Sequence, residues 1–212
     1  VVEPTKDPLA PTGVITGTIF YNGPAPLCED DKPIGRIILT LFDYNNPPVP
    51  FGTATSAASL LTLSGDSLFS SADCSTEATR IQRSTAFTWP SIPLGIGSGV
   101  EYQIRSFYDN EGDFNPLFGS RKAATSGDVG GGAYEALQLE QEDFDLTQLA
   151  YQKISMGTEA NKPKGQVVPN ITVLLAAPVL TERPVFELAK NDSTQAFDSG
   201  SSFPLIPDPV EQ

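Results

Sequence analysis

The sequence predicts an all-β protein built as an antiparallel β-sandwich, and three observations carry that expectation. Apolar and polar residues alternate with a period of two in several short segments. Turn residues separate these segments at intervals of roughly ten residues, the spacing of sandwich strands. The chain also holds 18 glycines and 19 prolines, which interrupt any long helix.

Each element has its own signal. Val14-Ile15-Thr16-Gly17-Thr18-Ile19-Phe20 reads as the first strand and Asn22-Gly23-Pro24 as its end. Arg36 to Phe42 is apolar on both faces, which predicts a central strand stopped by Asn45-Asn46-Pro47-Pro48. Ser84 to Trp89 is the third strand, closed by Pro90 and Pro93, and Val100 to Tyr108 is the fourth. Ala133 to Leu139 and Val167 to Leu175 follow, with Pro184 to Leu188 as an added edge. Segments 54–70 and 143–155 fit a strand or a short helix equally well. Residues 1–12 (Pro4, Pro8, Pro11) and 191–212 (Pro204, Pro207, Pro209) read as extended segments flanking a single sandwich domain over 13–190.

Composition excludes whole classes of function. A net charge of -13 repels phosphate backbones and anionic membrane surfaces, so nucleic acid is not an expected partner. No apolar run is long enough for a membrane-spanning helix. There is no histidine, which removes Ser-His-Asp and Cys-His nucleophile pairs, HExxH zinc sites and His-ligated haem. Two cysteines, Cys28 and Cys74, lie far apart and outside any CxxC pair. They fit one structural disulfide in an oxidising compartment, with two unpaired thiols as the other reading. With Val1 as first residue and no basic, apolar leader, the chain reads as the mature form of a secreted protein, extracellular or at a cell surface.

Residues 84–118 carry the most information. The strand with Phe87 and Trp89 runs into Ile92-Pro93-Leu94-Gly95, then into a strand with Tyr102, Ile104, Ser106 and Tyr108 on one face, then into Asp109-Asn110-Glu111-Gly112-Asp113-Phe114. With Gly17, Tyr21, Gly23 and Pro26 in the opening segment, this resembles the carboxypeptidase regulatory-like, or prealbumin-like (transthyretin-like), modules of secreted bacterial proteins, over roughly residues 13–118. Two features depart from that pattern: residues 96–101 are inserted before Tyr102, and residues 119–190 have no counterpart in the minimal module. The resemblance implies a Greek-key β-sandwich that serves as a non-catalytic surface, adhesive or spacer module.

The acidic turn suggests chemistry of its own. Asp109, Glu111 and Asp113 alternate around Gly112, and hard oxygen ligands at i, i+2 and i+4 suit calcium. Asp43, after the second strand, is the candidate to complete such a site; the alternative is a solvated turn that ends a strand. Calcium is the one cofactor the sequence suggests. Gly95 to Gly99 lacks the GxGxxG spacing, and the Gly127 to Gly132 run lacks the Lys-Ser/Thr of a phosphate loop, so both read as flexible turns. Acidic runs at Glu29-Asp30-Asp31 and at Glu140, Glu142, Asp143 and Asp145 leave a carboxylate-pair acid hydrolase as a third reading. Trp89, Tyr102, Phe107 and Tyr108 offer either core packing or a sugar-stacking platform.

Taken together, the sequence predicts a non-catalytic extracellular structural or assembly module on a bacterial surface or appendage. It would associate with copies of itself or with another surface protein through its ends or its sheet edges, with Val2, Pro4, Phe203, Leu205 and Ile206 as docking residues. The alternative is a calcium-dependent module that binds glycan or protein through the Asp109–Asp113 loop.

Overall fold

The structure, a computed structural model, describes residues 12–48, 52–54, 57–95, 98–114, 124–125, 127–137, 139, 149–158 and 166–178. Among the described residues ten strands appear in chain order: β1 (Thr12–Gly23), β2 (Cys28–Glu29), β3 (Lys32–Pro33), β4 (Arg36–Asp43), β5 (Ser59–Ser64), β6 (Ile81–Pro93), β7 (Val100–Asp109), β8 (Val129–Gly132), β9 (Ile154–Met156) and β10 (Val167–Pro178). Two 3-10 turns, Gly65–Ser67 and Ser71–Ser75, connect β5 to β6, and no α-helix occurs among the described residues. The all-β expectation therefore holds. The segment at 54–70 resolves into β5 and a 3-10 turn, and the described end of 143–155 enters β9.

Eight strands form one sheet in the order β5-β4-β7-β8-β10-β1-β6, with β9 pairing β7 beside β8; β2 and β3 make a separate hairpin. The expected arrangement was antiparallel throughout, but the sheet is mixed. β1 and β10 run parallel, Val14 opposite Val167 and Tyr21 opposite Leu175, because they join distant parts of the chain with no hairpin between them. The sheet curls until its edges meet. Trp89 Nε1 on β6 donates to Ser59 Oγ on β5 across 3.0 Å, so the sheet is nearly closed into a barrel.

Alternation explains where the core sits. Ile37, Leu39 and Leu41 of β4, Tyr102, Ile104 and Tyr108 of β7, Ile15 and Ile19 of β1, and Phe87 and Trp89 of β6 form one buried cluster. Leu68 and Phe69, from the turn between β5 and β6, plug the same interior, and Phe69 packs edge-on against Tyr21 and Tyr108. The opposite faces of β4 and β7 are covered as well: Ile38, Phe42 and Phe107 meet Phe114 and Ala124. This double burial is why Arg36 to Phe42 reads as apolar on both faces.

Two sequence expectations are corrected here. The Gly127–Gly132 run is not a flexible turn but contains β8, fully buried between β7 and β10. A Cβ at Gly131 would overlap the Leu174 carbonyl oxygen, so glycine is what lets the two neighbours approach. Among its described residues, Ala133 to Leu139 forms no strand. Tyr134 makes a single bridge to Tyr151, and Ala136 turns the chain with φ of 53°. The Pro184–Leu188 segment lies outside the described residues.

Candidate functional site

The acidic turn is built where β4 and β7 end together. Arg36 opens β4 and lies directly opposite Asp109, the last residue of β7. Asp109 is fully buried, and its carboxylate accepts from Arg36 Nη2 (2.9 Å), the Asp113 N–H (3.0 Å) and the Phe114 N–H (3.2 Å). The same Arg36 Nη2 donates to the carbonyls of Gly112 (2.7 Å) and Phe114 (2.6 Å). Gly112, at φ of +70°, supplies the left-handed residue that folds the turn back onto Arg36.

A second loop is fastened to the first by Asp128, which precedes β8. Asp128 is 2% exposed; its Oδ1 accepts from the Asn110 N–H (2.8 Å) and its Oδ2 from the Thr125 N–H (2.7 Å). Thr125 Oγ1 donates to Glu111 Oε2 (2.9 Å), and Asn110 Oδ1 accepts from the Leu27 N–H (2.9 Å), one residue before the disulfide. Burial pushes Asp128 up to about 7 against the pull of its two N–H donors, with Asp109 and Glu111 adding to the rise. Burial also raises Asp109, more than Arg36 and its backbone donors lower it.

Of the expected site residues, Asp109 thus accepts N–H and guanidinium donors, Glu111 accepts the Thr125 hydroxyl, and Asp113 joins through its backbone N–H. Among the described residues no group of three or more His, Cys, Asp or Glu side chains gathers as a metal-ligand set. Asp43 cannot join the turn. It pairs with Tyr102, at the opposite end of the β4–β7 ladder from Arg36 and Asp109, about 23 Å away at ~3.3 Å per residue. Instead Asp43 Oδ1 accepts from the Asn45 N–H at 2.8 Å.

Cys28 and Cys74 are joined, with Cα atoms 5.7 Å apart, tying the β2–β3 hairpin to the turn before β6. Beside that link, Asp73 holds Ser70 and Arg83 of β6, which lowers the Asp73 pKa. Trp89, Tyr102, Phe107 and Tyr108 are all 4% exposed or less, so they pack the interior and present no stacking platform. Val2, Pro4, Phe203, Leu205 and Ile206 lie outside the described residues, as do Glu140, Glu142, Asp143 and Asp145. Glu29, Asp30 and Asp31 sit exposed on the β2–β3 hairpin.

Sequence reasoning missed the roles of Arg36, Thr125 and Asp128. Arg36 precedes an apolar run and Asp128 sits in a glycine-rich stretch, so neither has local neighbours that signal a role; register supplies the partners. It also missed the β6 edge. β6 pairs β1 from Thr12–Pro93 to Gly23–Ile81, yet no strand among the described residues pairs its other side. A cleft of about 300 Å³ opens over the neighbouring strands β10, β1 and β6, lined by Phe20, Asn22, Gln82, Arg83, Ser84, Leu139 and Leu174 with Tyr21.

No family model, curated protein or solved structure matches the chain.

Proposed function

We propose that the protein is a non-catalytic extracellular assembly module that associates through the β6 edge of its barrel. The observation that carries this reading is β6 itself: among the described residues no strand is laddered to its outer side, where only the Trp89–Ser59 contact and the Arg83–Asp73 pair reach across. Such an edge is a template for an added strand. The Cys28–Cys74 link supports an oxidising, extracellular compartment. The best-buried acids, Asp73, Asp109 and Asp128, are occupied in holding turns and loops together, which supports a structural rather than a catalytic role. The prealbumin-like reading is supported only by the sequence order of its motifs, with Tyr102 to Tyr108 lying in β7 and the acidic turn directly after it.

Light scattering across a concentration series tests the reading. The native chain should show multiples of 22.6 kDa, and Ala86→Lys with Thr88→Lys, two exposed positions of β6, should return it to the single-chain mass. A native chain that stays monomeric throughout would refute assembly by this edge.

A further inference from the structure

We propose that the outward face of the β2–β3 hairpin is a docking surface for a cationic segment of another protein that also carries apolar side chains. The surface uses no residue of β6, so it adds a partner to the assembly reading and is tested independently of it.

Register decides which side chains the hairpin displays. Cys28 stands opposite Pro33, and Glu29 opposite Lys32. One step further along, the Ile34 N–H donates to the Leu27 carbonyl at 3.0 Å and continues the pairing. Side chains alternate across a strand, so Cys28 and Pro33 share one face while Leu27, Glu29, Lys32 and Ile34 share the other. The first face is turned to the barrel: Pro33 is buried and Cys28 is joined to Cys74. The second is turned to solvent, where Leu27 is 45% and Ile34 39% exposed. Only four large apolar side chains are so exposed among the described residues, and these two are cross-strand neighbours.

The pair is held in place before any partner arrives. A hairpin this short is marginal by itself. Here the disulfide fastens it to the turn before β6, and the Leu27 N–H donates to Asn110 Oδ1 at 2.9 Å. Fixing a contact surface in advance removes its ordering cost from binding.

The surroundings select the partner. Asp30 and Asp31 turn the hairpin, both exposed and both at positive φ. Along the other end of the pair runs the acidic turn: a Cβ added at Gly112 would lie 2.9 Å from the Ile34 carbonyl oxygen, and exposed Glu111 and Asp113 flank that glycine. Glu29 and Lys32 offset one another across the hairpin. An apolar pair set between acids suits an apolar side chain with Lys or Arg beside it. A second copy meeting this face with its own would set acid against acid, and an anionic lipid surface would be repelled.

Two probe peptides test this on the full chain by fluorescence anisotropy: a labelled peptide of Lys and Leu, and one of the same length and charge with Ser for Leu. The native chain should bind the Lys/Leu peptide at least about tenfold more tightly than the Lys/Ser peptide. Leu27→Ser with Ile34→Ser, both at exposed positions, should abolish that preference. Asp30→Asn with Asp31→Asn keeps residues that tolerate positive φ, and it should weaken binding of both peptides and flatten its salt dependence. Trp89 fluorescence and far-ultraviolet circular dichroism check that each variant is folded. Equal binding of the two peptides by the native chain, or an unchanged preference in the Leu27/Ile34 variant, overturns the inference, because net charge alone then explains the binding. If the peptides are not distinguished and the same variant abolishes self-association in light scattering, the pair meets a second copy. If it instead abolishes cosedimentation with neutral phosphatidylcholine vesicles, the pair meets a lipid surface, and in either case the inference falls.

Discussion

At the scale of single residues, the acidic turn shows how one set of carboxylates supports two opposite readings. Alternating Asp109, Glu111 and Asp113 suggest a cation in sequence, yet Asp109 meets a guanidinium 73 positions away along the chain. What sequence reveals is the turn itself, because Gly112 and the acids are local signals. The Arg36 partner depends on the β4–β7 register and has no local signature. Asp109→Asn should therefore cost stability even in calcium-free buffer. Breaking a buried pair costs ~3–5 kcal/mol. The Arg36 side chain is 34% exposed and can partly rehydrate, so about 2 kcal/mol is expected by urea unfolding. A variant that loses stability only when calcium is supplied to the native protein would show that the carboxylate serves a cation instead. Asp128 should respond similarly to removal, since both its oxygens end a loop N–H.

At the scale of elements, strands with apolar side chains to alternate are readable and the glycine strand is not. β1, β4, β6, β7 and β10 overlap the segments expected from period-two patterning, although β6 runs on through Pro90 to Pro93. The extension is possible because β6 is an edge strand, where a proline can turn its missing donor away from the ladder. β8 has almost no side chains from which to read a period; its burial is imposed by β7 and β10. Gly131→Ala should therefore destabilise by about 3 kcal/mol or prevent folding, because the new methyl group meets backbone that cannot rotate away. A thermal midpoint within a degree or two of native would contradict that packing. The Cys28–Cys74 pairing lies between these cases: the count and compartment are readable, the geometry is not. Cys28→Ser with Cys74→Ser frees a loop of 46 residues' separation and should cost about 4 kcal/mol in the chain-entropy model. Calorimetry of the double variant against native protein measures it, and an unchanged midpoint would mean that the β2–β3 hairpin is held by other contacts.

At the scale of the whole molecule, the buried acids set the direction in which stability changes with pH. Asp128, raised to about 7, keeps a proton in the folded state that the unfolded chain has already released above its ordinary carboxylate pKa. Its stabilising contribution is complete below about pH 4 and is lost as pH rises through about 7, with a limiting slope of ~1.4 kcal/mol per pH unit. Asp109, also raised, acts in the same direction. Asp73 and Glu101 act oppositely: Arg83 holds the first low and Lys153 the second, so their contributions are present above the ordinary carboxylate pKa and lost as pH falls through the lowered values. Greatest stability is therefore expected at about pH 4 to 5, where Asp73 and Glu101 are ionised while Asp128 keeps its proton, with decline from there to about pH 7 and a plateau above it. Repulsion within a chain of net charge -13 gives the same sign, so salt must separate the two causes. At about 1 M salt the Debye length is ~3 Å, which screens the long-range repulsion and leaves the cost of ionising a buried carboxyl. Urea midpoints measured from pH 5 to pH 8 should keep most of their decline in high salt. A decline that disappears with salt would assign it to net charge, and a midpoint that rises toward pH 8 would overturn the raised Asp128 altogether.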